Sequence, residues 1–467
     1  MWYAWLEAQR GMARTMQPWA QPPSRASRNA NAQREPCGAS GAGSASRAPS
    51  DTLHDAPPAE PTDASEGIDW LTAVGYTSPE PPPFGIEHVM VDGTPVAVVE
   101  DVVARVPFCT LRRFRRVASD AVDPDTASAA HEDTADAASS AAAPAAPRHA
   151  AAEAPRAVSG SPAVFLCPPL AGHHAVMLRE TVETLLEQHD VYVPDWANAR
   201  DVPAEAGPFG LDDYVLTLER FIRAAGAVHV LSVCQATVPA LAAVALIAAD
   251  AQAGNGFAPL SVTLMGGPID ASLHPTPIDR FAHDHEIDWF KRHVIDVVPP
   301  PYAGKGRRVY PGFIQHAALV AAHPHRYLEL QAHYWASCMT GDLVAMTRRL
   351  RELSEYASVL DMTERYFLDT IRVIFQERLL PHGTWHVAGR RVALEALTST
   401  ALCTVEGDRD DIVGAGQTHA AAALCTAIPA ARRMQRTIAG ADHYDLFLGP
   451  RWREEVHPML EQFWADL

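Results

Sequence analysis

The stretch LSVCQATVPALAAV (residues 231–244) passes from a β-branched run into an alanine-rich one without a single charge. Its first part completes VHVLSV, which reads as a buried strand, and its second opens TVPALAAVALIAADAQ, which reads as an apolar helix. At the junction, Ser232-Val233-Cys234-Gln235-Ala236 places small residues two positions either side of a cysteine. A sharp strand-to-helix turn needs such neighbours, because the strained backbone of its central residue brings flanking side chains into collision. Cysteine is also among the most buried residue types. Taken alone, the stretch therefore admits two readings of Cys234, a core thiol or a nucleophile on an elbow.

Outward from this point, strand and helix patterns alternate, the signature of an α/β sheet. Upstream, AVFLCPPL and DVYVPDWA read as strands, with HAVMLRETVETLLEQ as a helix between them; downstream, SVTLMGG, TALCTVEG and RRMQRTIAG continue the series. The rhythm breaks over 271–397, which is aromatic, His-rich and mostly helical, and is expected to form a cap over the sheet. The core is thus expected in two parts, 161–270 and 398–467. Before it, residues 84–117 alternate β-branched side chains around Asp92-Gly93, which predicts a β-hairpin and a further strand.

The order of residues after Cys234 supports the nucleophile. In α/β-hydrolases the nucleophile is followed by an acid after a later strand and then by a histidine near the C-terminus. Here TALCTVEG runs into DRDDIVGAGQT, placing Asp410 at the mouth of the sheet, and TIAGADHYDLFLGPRWREE places His443 after the last strand. Asp408 and Asp411 read as turn residues, and His419, in a helical QTHAAAALC, as structural. In this arrangement His443 takes the thiol proton and Asp410 holds the imidazole tautomer. A tetrahedral oxyanion needs two backbone donors; Gln235 fills the first place and Leu170 or Ala171 the second. His173-His174 lacks the further ligands that a metal site needs, so no metal is expected. No G-x-G-x-x-G or Walker sequence implies a nucleotide cofactor.

The 467 residues carry a net charge of −18, which repels phosphate backbones and excludes a nucleic-acid partner from expectation. Seven cysteines without paired spacing suit a reducing compartment. With no secretory signal and no segment approaching the roughly 20 apolar residues of a membrane span, a cytoplasmic protein is expected. Residues 1–20 carry Trp2, Trp5, Met12, Met16 and Trp19 near one helical face. That pattern fits either an interfacial helix or one docked on the protein's own core. Residues 21–67 and 118–160, rich in Pro, Ala, Ser and charge, read as disordered linkers.

The stretches LCPPLAGHHAVMLRETVETLL, VYVPDWANARDVP, SVCQATVPALAAV, TLMGGPID, GRRVYPGFIQHA, ALCTVEGDRDDIVGAGQT and GPRWREEVHP together resemble the intracellular poly(3-hydroxybutyrate) depolymerases of polyester-storing bacteria. The resemblance spans about residues 162–467. It implies an α/β-hydrolase fold, a Cys234-Asp410-His443 triad, a thioester acyl-enzyme and attack on stored polyester at a granule surface. Water or the thiol of coenzyme A would be the acyl acceptor, and no cofactor is otherwise implied. The chain departs from the family where Ala236 replaces an expected proline, where Asp442 and Asp445 replace glycines around His443, and in the length of the 118–160 linker. Carboxylates so placed are expected to raise the pKa of His443 or to perturb its loop. Trp289, Phe290, Tyr302, Tyr310 and Phe313 are candidate granule contacts or simply cap packing, and a homo-oligomer is compatible with the sequence. The alternatives are a polyester synthase-like acyltransferase and a non-catalytic granule-surface protein.

Overall fold

A computed structural model describes residues 83–117, 161–172, 177–322 and 324–467. The expected N-terminal helix, the linkers over 21–67 and 118–160, and the His173-His174 pair lie outside the described residues. The chain divides into two compact units; the larger comprises Pro83–Ala322 and Ser358–Leu467, and the smaller includes His323–Ala357.

Within the larger unit, β1 (His88–Val91), β2 (Thr94–Val106) and β3 (Cys109–Arg116) form an antiparallel meander. Asp92 and Gly93 both have positive φ, 49° and 78°, the turn whose twist matches that of a two-residue hairpin. The third strand pairs antiparallel with β5 (Val191–Trp196), which lies parallel to β4 (Val164–Cys167). Then β6 (His229–Val233), β7 (Ser261–Met265), β13 (Ala401–Gly407) and β14 (Arg433–Ile438) continue in parallel, giving the order β1-β2-β3-β5-β4-β6-β7-β13-β14. This is an α/β-hydrolase sheet. Strands β4, β6, β7 and β13 are buried at every position, which is why they read as mostly apolar runs and not as alternating ones.

Helices cover the sheet. One, α1 (Arg179–Leu185), begins later than the sequence pattern suggests: Met177 has a φ of 65° and separates it from the upstream apolar residues. The amphipathic α2 (Leu211–Ala225) buries Leu211, Tyr214, Val215, Leu218, Phe221 and Ile222, the i, i+3, i+4, i+7 stripe of a helix on a core. By contrast α3 (Thr237–Gln252) buries every residue from Thr237 to Ala248. With its leading turn, Cys234–Gln252 is the one helix among the described residues long and apolar enough to cross a membrane. The sequence reading expected none; 72% of that window is buried inside the protein, so the composition reflects a core position.

The chain leaves β4 to one side through α1 and β5, then returns through α2 to β6 on the other side of β4. Such a reversal opens a crevice at the carboxyl ends of the two strands, the usual place for a ligand in an open α/β sheet. Leu170 follows β4 and Cys234 follows β6, with Cys167 and Ser232 in register.

Between β7 and β13 lie α4 (Pro277–Asp284), α5 (Ile287–His293), β8 (Asp296–Val297), β9 (Arg308–Tyr310), α6 (Gly312–Ala322), then α7 (Pro324–Thr340) and α8 (Leu343–Ala357) of the smaller unit. They are followed by β10 (Met362–Thr363), α9 (Glu364–Thr370) and the small β11 (His386–Val387) and β12 (Arg390–Arg391) pair. The aromatic residues proposed as granule contacts largely pack here: Phe290 is buried, and Tyr310 stacks on Phe367 with centroids 4.1 Å apart. Trp289 lies edge-on to Phe290, and Arg200 sits over the Tyr302 ring. After β13 come α10 (Ala420–Leu424), β14 and the terminal α11 (His457–Ala465).

Candidate active site

Val233 is extended, with φ −121° and ψ 138°, and the next residue, Cys234, turns to φ +57° before the chain enters helical geometry. A non-glycine residue at positive φ is strained, and the surroundings must hold it. Thr237 does so, its hydroxyl donating to the Cys234 carbonyl at 2.8 Å. The flanking Ser232 and Ala236 are wholly buried, which leaves no room for larger side chains, while Cys234 itself remains partly accessible. The buried thiols of Cys403 and Cys425 are each pushed up to about 12 by burial, and that of Cys109 is raised well above its ordinary value.

His443 stands on the loop after β14, and its Nδ1 donates to Oδ2 of Asp410 at 2.7 Å. The second Asp410 oxygen accepts the N–H groups of Ile412 and Val413, each at 2.9 Å. With Nδ1 so engaged, Nε2 is the nitrogen left for Cys234, which lies close enough to influence the ring electrostatically. Burial by itself would push this imidazole down. The charge of Asp410, the influence of nearby Cys234 and the hydrogen bond to Asp410 outweigh it and hold His443 well above its ordinary value. The structure thus brings Cys234, Asp410 and His443 together from the ends of β6, β13 and β14.

Of the two effects expected of Asp442 and Asp445, the hydrogen bonds show the one on the loop. Asp442 accepts from the N–H groups of Tyr444 and Asp445, and Asp445 accepts from that of Asp442. They shape the loop by local capping, as short carboxylates do, and the groups that raise His443 are Asp410 and Cys234.

Gln235 lies half-buried in the first turn after the elbow, where backbone N–H groups have no intrahelical partner. Leu170 and Ala171 follow β4 beside it. Their loop is pinned from outside: the Ala171 carbonyl accepts from the Leu360 N–H at 3.2 Å and from Gln315 Nε2 at 3.3 Å, and Gly172 bridges Val359. Tyr214 adds a hydrogen bond to the Pro168 carbonyl at 3.0 Å.

Sequence reasoning missed the residues that support these side chains. Gly266, at φ +53°, packs so closely that a Cβ there would lie 3.1 Å from His443 Cε1 and from Leu446 Cδ1. At Gly267 a Cβ would fall on the Thr237 side chain, 1.8 Å from its hydroxyl. The Gly266-Gly267 pair after a strand was the available signal. His419 hydrogen-bonds to Thr404 and Thr437, away from Asp410. Among the described residues, no group of three or more His, Cys, Asp or Glu is arranged to hold a metal ion.

Comparison with known proteins adds an independent line. A family model described as PHB de-polymerase C-terminus matches residues 266–467, which include Asp410 and His443 but not Cys234. No curated protein matches the chain. Among solved structures, a carboxylesterase study of Nitrososphaera gargenis gives 11% identity over 66% of this chain and 92% of the other, with a TM-score of 0.37. A monoacylglycerol lipase of Paleococcus ferrophilus gives 13% over 66% and 97%, also at 0.37. A thermophilic esterase of Thermogutta terrifontis gives 13% over 65% and 91%, at 0.35. It is the sequence match over the C-terminal part that carries weight: residues 266–467 of this chain are similar to the family described as PHB de-polymerase C-terminus.

Proposed function

We propose that the chain hydrolyses ester bonds of poly(3-hydroxybutyrate), with Cys234 as nucleophile, His443 as general base and then acid, and Asp410 as the orienting carboxylate. The observation that carries this reading is the buried His443–Asp410 hydrogen bond set beside Cys234, which occupies a positive-φ elbow at the sheet's crevice. The similarity of residues 266–467 to the PHB de-polymerase C-terminus family supports the choice of substrate class.

The steps follow from the geometry. His443 takes the Cys234 proton, and the thiolate attacks the ester carbonyl carbon. Negative charge moves to the carbonyl oxygen, where N–H groups of Gln235 and of Leu170 or Ala171 would receive it. Collapse breaks the C–O bond, the His443 imidazolium protonates the departing alkoxide, and an acyl group remains on sulfur as a thioester. Water, deprotonated by His443, then attacks the thioester, and the thiolate leaves with the acid freed. Asp410 stays ionised throughout and stabilises the imidazolium. The setting that suits this reaction is the surface of a cytoplasmic storage granule.

Rapid-quench mass spectrometry of the protein with a soluble 3-hydroxybutyryl ester tests the reading. One 3-hydroxybutyryl group is expected on the peptide containing Cys234. Unchanged turnover in Cys234→Ala, with no adduct on the wild type, would refute it.

A further inference from the structure

Within the smaller unit, α7 and α8 form a helical hairpin joined at Gly341-Asp342, where Gly341 takes a φ of 71°. Its base is packed: Leu330, Leu353 and Tyr356 are buried, and the Tyr327 ring lies 6.1 Å from that of Tyr356. Its tip has the opposite character. Met339 is 82% exposed, Leu343 68%, Val344 82% and Trp335 49%. Upstream on α7, Leu328 and Ala332 continue the same exposed line at helical spacing. An apolar surface of this extent on a charged protein marks an interaction site.

The chemistry of the tip narrows the partner. Residues 332–346 contain one formal charge, Asp342, and its carboxylate is used to cap α8 by accepting the Ala345 N–H at 3.0 Å. Cations begin only at Arg348, and there Arg349 and Arg351 are paired with Glu352 and Glu355. With no Lys or Arg in residues 332–346 and a net charge of −18, an anionic lipid surface is disfavoured. A second helix would use the α7 stripe alone, whereas the exposed apolar residues run around the turn onto α8. An uncharged apolar surface that turns this corner fits a deformable uncharged phase, into which flexible methionine adapts and at whose edge tryptophan sits.

We infer that the α7–α8 tip is the element that docks this chain on the water-insoluble polyester itself, inserting Met339, Leu343 and Val344 with Trp335 at the boundary. The inference rests on the depolymerase reading above. Docking concentrates the enzyme on an insoluble substrate and takes no part in ester cleavage.

The test uses the full chain with Met339→Asp and Val344→Asp combined, and Met339→Ser with Val344→Ser should the acidic pair fail to fold. Co-sedimentation with protein-free amorphous poly(3-hydroxybutyrate) particles, monomer release, hydrolysis of a soluble short-chain ester and mass by light scattering are measured together. A fall of at least about tenfold in particle affinity is expected, with slower monomer release and soluble-ester turnover within about twofold of wild type. Equal binding and equal polymer turnover by the variant would overturn the docking role and leave the depolymerase reading standing. A wild type that cleaves the soluble ester but neither binds nor degrades the polymer would overturn both. A change of mass without a change of binding would assign the tip to self-association and overturn the docking role.

Discussion

Nδ1 of His443 lies 2.7 Å from Oδ2 of Asp410, and both side chains are only 3% exposed. A buried carboxylate so paired fixes the tautomer that leaves Nε2 for the thiol, and Asp410 is itself fixed by two backbone N–H groups. Asp410→Asn is nearly isosteric but cannot supply the charge. It is expected to lower kcat on a soluble ester by about 10⁴-fold, with the circular dichroism spectrum unchanged. A loss below about tenfold would remove Asp410 from the mechanism.

The raised value of His443 gives a pH signature. In the unfolded chain the ring titrates near about 6.5. Because the folded value is higher, the proton-linked stabilisation is complete below about 6.5 and is lost as pH rises through the folded value. The stability advantage of wild type over His443→Gln, read from urea midpoints, should therefore be largest near about pH 6 and shrink towards alkaline pH. An advantage that grew with pH would contradict the ion pair.

Gly266 holds the other side of the imidazole. A methyl group there meets the His443 ring and Leu446, and the positive φ adds backbone strain. Gly266→Ala is expected to cost roughly 1–2 kcal/mol of stability. By tilting the ring it should also lower kcat about 10²-fold while KM changes little. Wild-type kcat in this variant would show that the close approach has no catalytic consequence.

At the C-terminal helix, Glu461 receives His189 and His457, each at 3.0 Å. Burial pushes its carboxyl up, but the hydrogen bond from His189 and the close approach of both imidazoles prevail and hold it down to about 2. Its contribution is present above the ordinary carboxylate value of about 4.3 and lost as pH falls through about 2. Glu461→Gln should cost about 1–3 kcal/mol at neutral pH and flatten the acid limb of the stability curve. Esterase activity per folded molecule should be untouched.

Much of the sheet was legible because parallel strands buried on both faces must be mostly apolar, and VFLC, HVLSV and SVTLM announce themselves. The order Cys234, Asp410, His443 was legible for a related reason: each follows a parallel strand, so all leave the sheet at the same edge. What supports them was not. Gly266 touches His443 across 177 positions of sequence, and Gln315 reaches Ala171 across 144, contacts with no local periodicity to betray them. Nor did the sequence reveal that Met177 would delay α1, or that Asp442 and Asp445 would cap their own loop, since both depend on backbone angles set by packing.

The most direct measurement is release of 3-hydroxybutyrate from amorphous poly(3-hydroxybutyrate) by purified wild type and Cys234→Ala, with and without coenzyme A. Release by the wild type alone, without need of coenzyme A, is the expected result. Equal release by Cys234→Ala, or none by either protein, would contradict a cysteine-dependent polyester hydrolase.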